Sequence, residues 1–436
     1  MRNETPKYRF SDNLLASRHL LLKLNNMQFL RNIHYGWVVV LTGTLTIVAV
    51  LGLGRFSLGM LLPSMGSDLG LGYSRMGFIG TGNFFGYLLG VLISSRLVKR
   101  FDYRIVISSG IFLVGVSMIL VGKANGFWPV LFAFFFTGIG SGCANVPVMG
   151  LVSQWFGSSL RGRAAGLMVS GIGLGIMITG LLIPAINDWA TDGQGWRTNW
   201  IVLGGIVLVI AVVCSLLIRN RPSELGLQIV EKAVKKRPEK AGTPASAKSC
   251  TTEKRTLLYL GGIYFIFGFS VVIYVTFVIT TLINDYGFSE AVAGRFWVWF
   301  GLFGMFSGPI FGSLSDRIGR SRTLALVYAL QGLSHLLLAL NPFAGSIYCS
   351  IALLALCAWS VPSIMAAAVG DYLGPLRAAA GFATLTLFFS VGQISGPALA
   401  GIMAEGSGSF SQAYILAGLL AGIGAFSSLF LPKTEK

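Results

Sequence analysis

Arg55 is the residue whose setting is most suggestive of chemistry, because it stands about nineteen residues into an apolar stretch that begins near residue 36. Burying an unpaired guanidinium in a membrane costs between about 3 and more than 10 kcal/mol, so such a residue normally faces a cavity and has a partner. None of the sixteen acidic residues falls in the middle of an apolar stretch. An anionic ligand could bind the guanidinium fork through two oxygens. Alternatively, the side chain reaches the interface or bonds carbonyl groups at a helix end.

Arg295 is a second candidate, near the start of another apolar stretch and shortly after Asp285 and Glu290. These two acids favour a local ion pair at the rim of the membrane. The alternative is a cation that faces a cavity and is shielded by Trp299, which lies four residues further along the same helix face.

Long apolar runs must position these residues. Hydrophobic residues make up 54% of the chain and charged residues 11%, against roughly 25% charged residues in a soluble domain. Runs of roughly 20 residues can cross a hydrocarbon core, and in lipid such runs have to be helices because every backbone amide needs an internal partner. We therefore predict an all-α polytopic membrane protein with twelve spans, at residues 36–63, 76–96, 105–121, 127–152, 163–185, 199–218, 256–281, 290–314, 321–341, 345–371, 377–404 and 410–431.

A net charge of +17 is compatible with binding to nucleic acid, but the distribution of the charge along the chain argues against it. All but five of the 33 basic residues fall on the side of the membrane that holds the N-terminus. The exceptions are Arg55 inside its span and Arg75, Lys123, Arg197 and Arg295 on the other side. This is the positive-inside bias, and it predicts that both termini are cytoplasmic and that the partner surface is the lipid bilayer.

The spans break once, at residues 219–255, a stretch too polar to bury itself. We predict a cytoplasmic N-terminal segment (1–35), a six-helix bundle (36–218), a cytoplasmic linker (219–255), a second six-helix bundle (256–431) and a tail (432–436). Translation could begin at Met1 or at Met27.

The two predicted bundles repeat a short pattern. Val146-Pro147 and Val361-Pro362 are each followed, after sixteen residues, by Ala-Ala-Gly at 164–166 and 379–381. The repeat pairs each span with the span six places later and predicts a parallel duplication with a cavity between the halves.

The turn after the eighth span reads Gly312-Ser-Leu-Ser-Asp316-Arg317-Ile-Gly319-Arg320-Ser-Arg322. It resembles the GxxxDRxGRR signature of the major facilitator superfamily, which joins the second and third spans and again the eighth and ninth. A carboxylate near a helix N-terminus is stabilised by the helix dipole, and cations beside it can form a network that locks one conformation. The resemblance implies a conformational latch at Asp316, Arg317, Gly319 and Arg320.

The first-half copy of this turn departs from the signature. In Val98-Lys99-Arg100-Phe101-Asp102-Tyr103-Arg104, a lysine stands where the signature has aspartate and Asp102 stands where it has glycine. The corresponding latch residues would be Asp102 and Arg104, with altered geometry.

Two further stretches resemble the YbfB/YjiJ-like branch of the superfamily. One is Gly52-Leu-Gly-Arg55-Phe56 with Leu61-Leu-Pro63, and the other runs from Asp371-Tyr-Leu-Gly-Pro375 to Gly392-Gln393-Ile-Ser-Gly-Pro397. Gln154-Trp155-Phe156 instead resembles the monocarboxylate and oxalate/formate carriers. The resemblance implies transport of a small molecule by alternating access, with Asn83, Asn145 and Gln393 lining the cavity because their spans do so in that fold. It also implies that Arg295 could face the cavity, as a cation in this span does in monocarboxylate carriers.

The chain shows no HExxH or GxSxG motif, no ATP-binding loop and no cysteine spacing typical of a metal site, so we predict no catalytic residues, no metal and no cofactor. The favoured substrate is a small organic anion such as a monocarboxylate. An efflux carrier for neutral or hydrophobic compounds, or a receptor built on a transporter fold, are the alternatives. Short loops favour a bacterial inner membrane, and a monomer is the simplest assembly.

Overall fold

The computed structural model describes residues 34–190, 194–231 and 250–431. The N-terminal segment up to residue 33, including the alternative start at Met27, lies outside the described residues. So do most of the predicted linker and the tail after residue 431.

Within the described residues, eleven helices are long and apolar enough to cross a membrane. The second of these contains two spans, so twelve labels are used: α1 Gly36–Leu69, α2 and α3 within Tyr73–Gly122, α4 Phe127–Trp155, α5 Leu160–Trp189, α6 Gly195–Leu217, α7 Lys254–Asn284, α8 Glu290–Ile318, α9 Arg320–Leu340, α10 Ser346–Leu373, α11 Ala380–Ser407 and α12 Ser411–Leu429.

Tyr73–Gly122 is 50 residues long and would measure about 75 Å if straight, more than twice the hydrocarbon core of roughly 30 Å. Its helical backbone is broken at Asp102, where φ is 64° and ψ is 165°. The break divides it into α2 (73–101) and α3 (103–122), which correspond to the predicted spans 76–96 and 105–121. The twelve-span prediction is therefore confirmed.

The helices form two bundles, α1–α6 and α7–α12, each closed by contacts between its first and last helix. Tyr35 Oη donates to Leu217 O (2.7 Å) just before α1 and at the end of α6, and Tyr259 Oη donates to Ser427 O (2.7 Å) between α7 and α12. We call the face that carries these helix ends the terminal face and the other the opposite face.

The bundles meet along three helix pairs, α1 with α7, α2 with α11 and α5 with α8. Glycines allow backbone-to-backbone contact there: a Cβ on Gly77 would lie 2.3 Å from Pro397 O, and one on Gly180 would lie 2.8 Å from Gly294 O. Small residues are the usual means by which membrane helices approach closely. At these positions the interface is held by close packing of the helix backbones.

The start of the predicted linker packs against the first bundle. The Val230 amide donates to Trp155 O (2.9 Å), the Gly157 amide donates to Val230 O (3.1 Å), and Trp155 Nε1 donates to Arg219 O (2.9 Å). These backbone bonds satisfy polar groups at the end of α4. The described part of the linker is thus attached to the bundle, where composition alone predicts a solvated chain.

Candidate functional site

A widened turn of α1 positions Arg55. Residues Val48–Leu53 are a π-helix, with bonds from the Gly54 amide to Ala49 O and from the Phe56 amide to Leu51 O. Inserted π turns occur frequently at functional sites. The helix is α-helical again from Ser57, so Arg55 lies at the junction between the two geometries.

The Arg55 guanidinium is buried between aromatic rings. The residue is 7% exposed, and its Cζ lies 4.0 Å from the ring centre of Tyr87 and 4.9 Å from that of Phe84. Rings at these distances stabilise a desolvated cation by about 2 kcal/mol. They are one helical turn apart on α2 and hold the cation without neutralising it.

The hydrogen-bonding edge of Arg55 is unsatisfied. Its Nε and Nη2 are buried and have no hydrogen-bond partner in the described part of the chain. The salt bridges described there involve Arg197 and Arg320 instead. Nε and Nη2 are the two nitrogens on one side of the guanidinium fork, which is the edge that binds a carboxylate through two parallel hydrogen bonds.

Arg55 lines a small closed cavity of about 10 Å³, roughly the space that one water molecule needs. Both bundles form its walls: Asn83, Phe84 and Phe134 come from the first, and Val275 and Thr276 of α7 from the second. The site therefore lies between the halves, as the sequence predicts for a cavity-facing residue.

Asn83 lines this cavity beside Arg55, whereas Asn145 belongs to the same bundle but lies behind the lining residues. Asn83 Nδ2 donates to Phe134 O (2.9 Å), while its Oδ1 is buried without a partner. Asn145 Nδ2 donates to Tyr87 Oη (2.8 Å). Asn145 thereby orients the ring that covers Arg55.

Gln393 is placed on the facing helix α11, at the depth of Arg55. It is 7% exposed and one turn from Pro397, which contacts Gly77 and Gly80 of α2. Gln393 lies one turn from Pro397 toward the terminal face, and Phe84, whose ring contacts Arg55, lies one turn from Gly80 in that same direction. Helical spacing therefore places Gln393 at the level of Phe84.

Arg295 lies elsewhere. Its side chain is exposed on α8, and none of the described salt bridges includes it. Neither the expected ion pair with Asp285 and Glu290 nor a position in the central cavity is observed.

The latch residues of the second half form a network at the terminal face. Arg320 donates from Nη1 to Asp316 Oδ1 (2.6 Å) and to Ser315 Oγ (3.0 Å), and from Nε to Asp371 Oδ2 (2.8 Å). Arg317 is exposed. These three bonds join the ends of α8, α9 and α10 within one bundle.

The first-half turn is built differently. Arg104 Nε donates to Ser215 O (2.6 Å) at the end of α6, and its amide donates to Asn220 Oδ1 (2.9 Å). Asp102 is exposed and adopts nearly the backbone conformation of Gly319, which has φ 94° and ψ 157°. Arg104 thus binds the end of a helix instead of a carboxylate.

Polar contacts that the sequence does not predict close the opposite face. Asn187 Nδ2 of α5 donates to Glu290 Oε1 of α8, and the Ser74 amide of α2 donates to Glu405 Oε2 of α11 (3.0 Å). These bonds cross between the bundles. In the sequence, the sole signal of these contacts is that both acids lie at the end of a span. Acids at span ends that simply face water have the same position, so the signal does not distinguish the two.

Three comparisons place the chain among known proteins. Residues 47–429 match the family model described as "Uncharacterised MFS-type transporter YbfB". The chain is 24% identical to the "Probable sulfoacetate transporter" of Cupriavidus necator and 24% identical to the hexuronate transporter of Bacillus subtilis, in each case over 86% of this chain and 89% of that protein. A solved inward-facing, occupied structure of a bacterial homolog of the human lysosomal transporter Spinster superposes with a TM-score of 0.70 at 16% identity, covering 93% of this chain and 98% of that one.

Proposed function

Because this chain belongs to the YbfB-like family of major facilitator superfamily transporters, and so carries a small solute across a membrane, we propose that its substrate is a small organic anion such as a monocarboxylate. The carboxylate binds Arg55 at the interface between the bundles. The observation that carries this proposal is the unpartnered Nε–Nη2 edge of a buried guanidinium.

A carboxylate fits this edge for electrostatic and geometric reasons. Charge-assisted bidentate pairs are among the strongest hydrogen bonds in proteins, and a bound anion offsets the cost of burying Arg55. Among the described residues, Arg55 is the one buried arginine or lysine, so it is the cation that a buried anionic group would meet. The names of the two relatives describe carriers of carboxylates, sulfoacetate and hexuronate.

Transport would proceed by alternating access. The bonds from Asn187 to Glu290 and from Ser74 to Glu405 close the opposite face, and the cavity at Arg55 is too small for a substrate in this conformation. Because both bundles form its walls, movement of one bundle against the other opens the cavity and admits the anion. We assign Asn145 and Gln393 to the walls of the opened cavity, and the network of Arg320 with Asp316 and Asp371 to holding the terminal face of the second bundle.

We also propose that the terminal face lies in the cytoplasm of a bacterial inner membrane, so that most basic residues obey the positive-inside rule and both termini are cytoplasmic. A reporter fused after Lys436 that is active only in the cytoplasm tests this assignment. Activity of a periplasmic reporter at the same position would reverse it.

The function is tested by ligand-dependent thermal stability of the detergent-purified protein. A ligand that binds only the folded state at a hundred times its Kd stabilises by about 2.7 kcal/mol. We expect small carboxylates to stabilise the wild type and Arg295→Gln, the matched exposed control, but not Arg55→Gln. Stabilisation by neutral or cationic compounds that survives in Arg55→Gln would instead support the efflux alternative and leave Arg55 as a structural residue.

A further inference from the structure

Asn83 presents a second unsatisfied group to the cavity that Arg55 lines. The residue is 1% exposed, and its orientation is defined because Nδ2 donates to Phe134 O at 2.9 Å. Its Oδ1 therefore carries the free acceptor, and no described residue donates to it. Buried carbonyl oxygens without a partner are rare and unfavourable.

The two unsatisfied groups need opposite hydrogen-bond partners: Arg55 needs acceptors and Asn83 Oδ1 needs a donor. Arg55 offers donors, which a carboxylate satisfies, whereas Asn83 Oδ1 needs a donor, which a carboxylate lacks. A simple carboxylate bound to Arg55 would leave Asn83 unpaired or facing another acceptor oxygen. A ligand that satisfies both residues carries an O–H group close to its carboxylate.

The positions of Arg55 and Asn83 limit the separation of these two ligand groups. Both residues line the same cavity, and Asn83 precedes Phe84, whose ring lies 4.9 Å from the Arg55 guanidinium, so the hydroxyl and the carboxylate of one ligand must be near neighbours. An ammonium group could also donate to Asn83, but in a dry site it would be repelled by Arg55.

Building on the proposed function, we propose that the preferred substrates are 2-hydroxycarboxylates. The carboxylate binds Nε and Nη2 of Arg55, and the 2-hydroxyl donates to Asn83 Oδ1. Asn83 is then the residue that distinguishes hydroxy acids from plain carboxylates.

A matched ligand series tests this proposal without any mutation. Propanoate, 2-hydroxypropanoate, 3-hydroxypropanoate and alanine differ only in the group near the carboxylate, and their affinities for the purified full-length protein are measured by calorimetry. We expect 2-hydroxypropanoate to bind about tenfold more tightly than propanoate, since one neutral hydrogen bond to a buried acceptor is being gained. 3-Hydroxypropanoate and alanine should resemble propanoate or bind more weakly.

The variant Asn83→Ala should reduce the ratio of the two affinities to about one. This ratio is insensitive to a general loss of packing, which weakens both ligands together. Cys143→Ala is the structural control, because it removes the contact from Sγ to Gly90 O between the same two helices and should leave the ratio unchanged.

The outcomes separate the two proposals. Equal binding of propanoate and 2-hydroxypropanoate to the wild type, both lost in Arg55→Gln, would overturn the hydroxy-acid assignment and leave the anion carrier intact. A preference for the hydroxy acid that persists in Asn83→Ala would overturn the role of Asn83. Failure of every carboxylate to bind the wild type would overturn the proposed function as well.

Discussion

Asp102 occupies a backbone conformation that suits glycine. Its φ of 64° and ψ of 165° lie in a region populated almost only by glycine, and the matching turn of the second half has Gly319 there with φ 94° and ψ 157°. We expect Asp102→Gly to stabilise the protein, although it replaces a charged residue at a predicted latch position.

The magnitude follows from two opposing contributions. Relief of the strained backbone contributes about 1–3 kcal/mol, while the greater freedom of glycine in the unfolded chain costs about 0.4–1 kcal/mol. The Asp102 side chain is exposed, and none of the described salt bridges includes it, so little is lost with it. At the centre of both ranges the net gain is about 1.3 kcal/mol, which raises the melting temperature by about 3–5 °C for bundles of this size.

Thermal unfolding in detergent, followed by circular dichroism, measures the effect. Asp102→Asn keeps the shape and removes the charge, so it should leave the melting temperature nearly unchanged if strain is the cause. Gly319→Asp creates the strained arrangement in the second half and should destabilise. A melting temperature that rises equally in Asp102→Asn and Asp102→Gly would refute strain and assign the effect to charge.

Three other predictions concern the binding site, the interface and pH. Arg55→Lys keeps the charge but loses the planar fork, so calorimetry should show at least about tenfold weaker anion binding. In Gly77→Val the added Cβ would lie 2.3 Å from Pro397 O, so the helices must separate and spin-label distances across the opposite face should increase. Gly166→Val is the control, because no atom lies within 4 Å of its added Cβ, and it should leave these distances unchanged. Partial burial raises the pKa of Asp285 above its usual 3.8, so the folded state favours the protonated acid and loses stability as pH rises from that value through the folded pKa. Asp285→Asn should reduce this pH dependence of the melting temperature and increase the melting temperature at neutral pH, while the raised pKa of Glu290 leaves a remainder of the same sign.

The fold could be predicted from the sequence because the membrane leaves few choices. Apolar runs of sufficient length have to be helices. The basic residues collect on one side of the membrane when the loops are assigned with twelve spans, and a missed span would divide them between both sides. The turn at Asp102 illustrates the limit of this reasoning. Sequence comparison with the second-half turn shows that Asp102 replaces glycine, but only the backbone angles show that the chain keeps the glycine conformation and leaves Arg104 to bind the end of α6.

The central site could be predicted only in part. Arg55 can be identified from the sequence because it lies inside an apolar stretch and no acidic residue lies inside another. This argument needs only the positions of the charged residues along the chain. Phe84 and Tyr87 could not be identified as partners of Arg55. Aromatic residues are common in membrane spans, and the sequence does not distinguish one that contacts a cation from one that contacts lipid. Arg295 shows the converse: its type and its neighbours Asp285 and Glu290 suggest a site, yet the rotation of α8 leaves it exposed.

The position of Arg55 connects binding to the movement of the bundles. The rings that cover it belong to α2, and the same helix carries Gly77 and Ser74, whose contacts with α11 close the opposite face. Closing the cavity around an empty Arg55 buries an unpaired fork, whereas closing it around a carboxylate buries a satisfied pair. A ligand shifts a conformational equilibrium only by its difference in affinity for the two states. If the substrate is an anion, as proposed, it favours the state in which the bundles close around it by as much as its bond to the desolvated guanidinium exceeds its bond to the hydrated one. That difference would link substrate binding at Arg55 to alternating access.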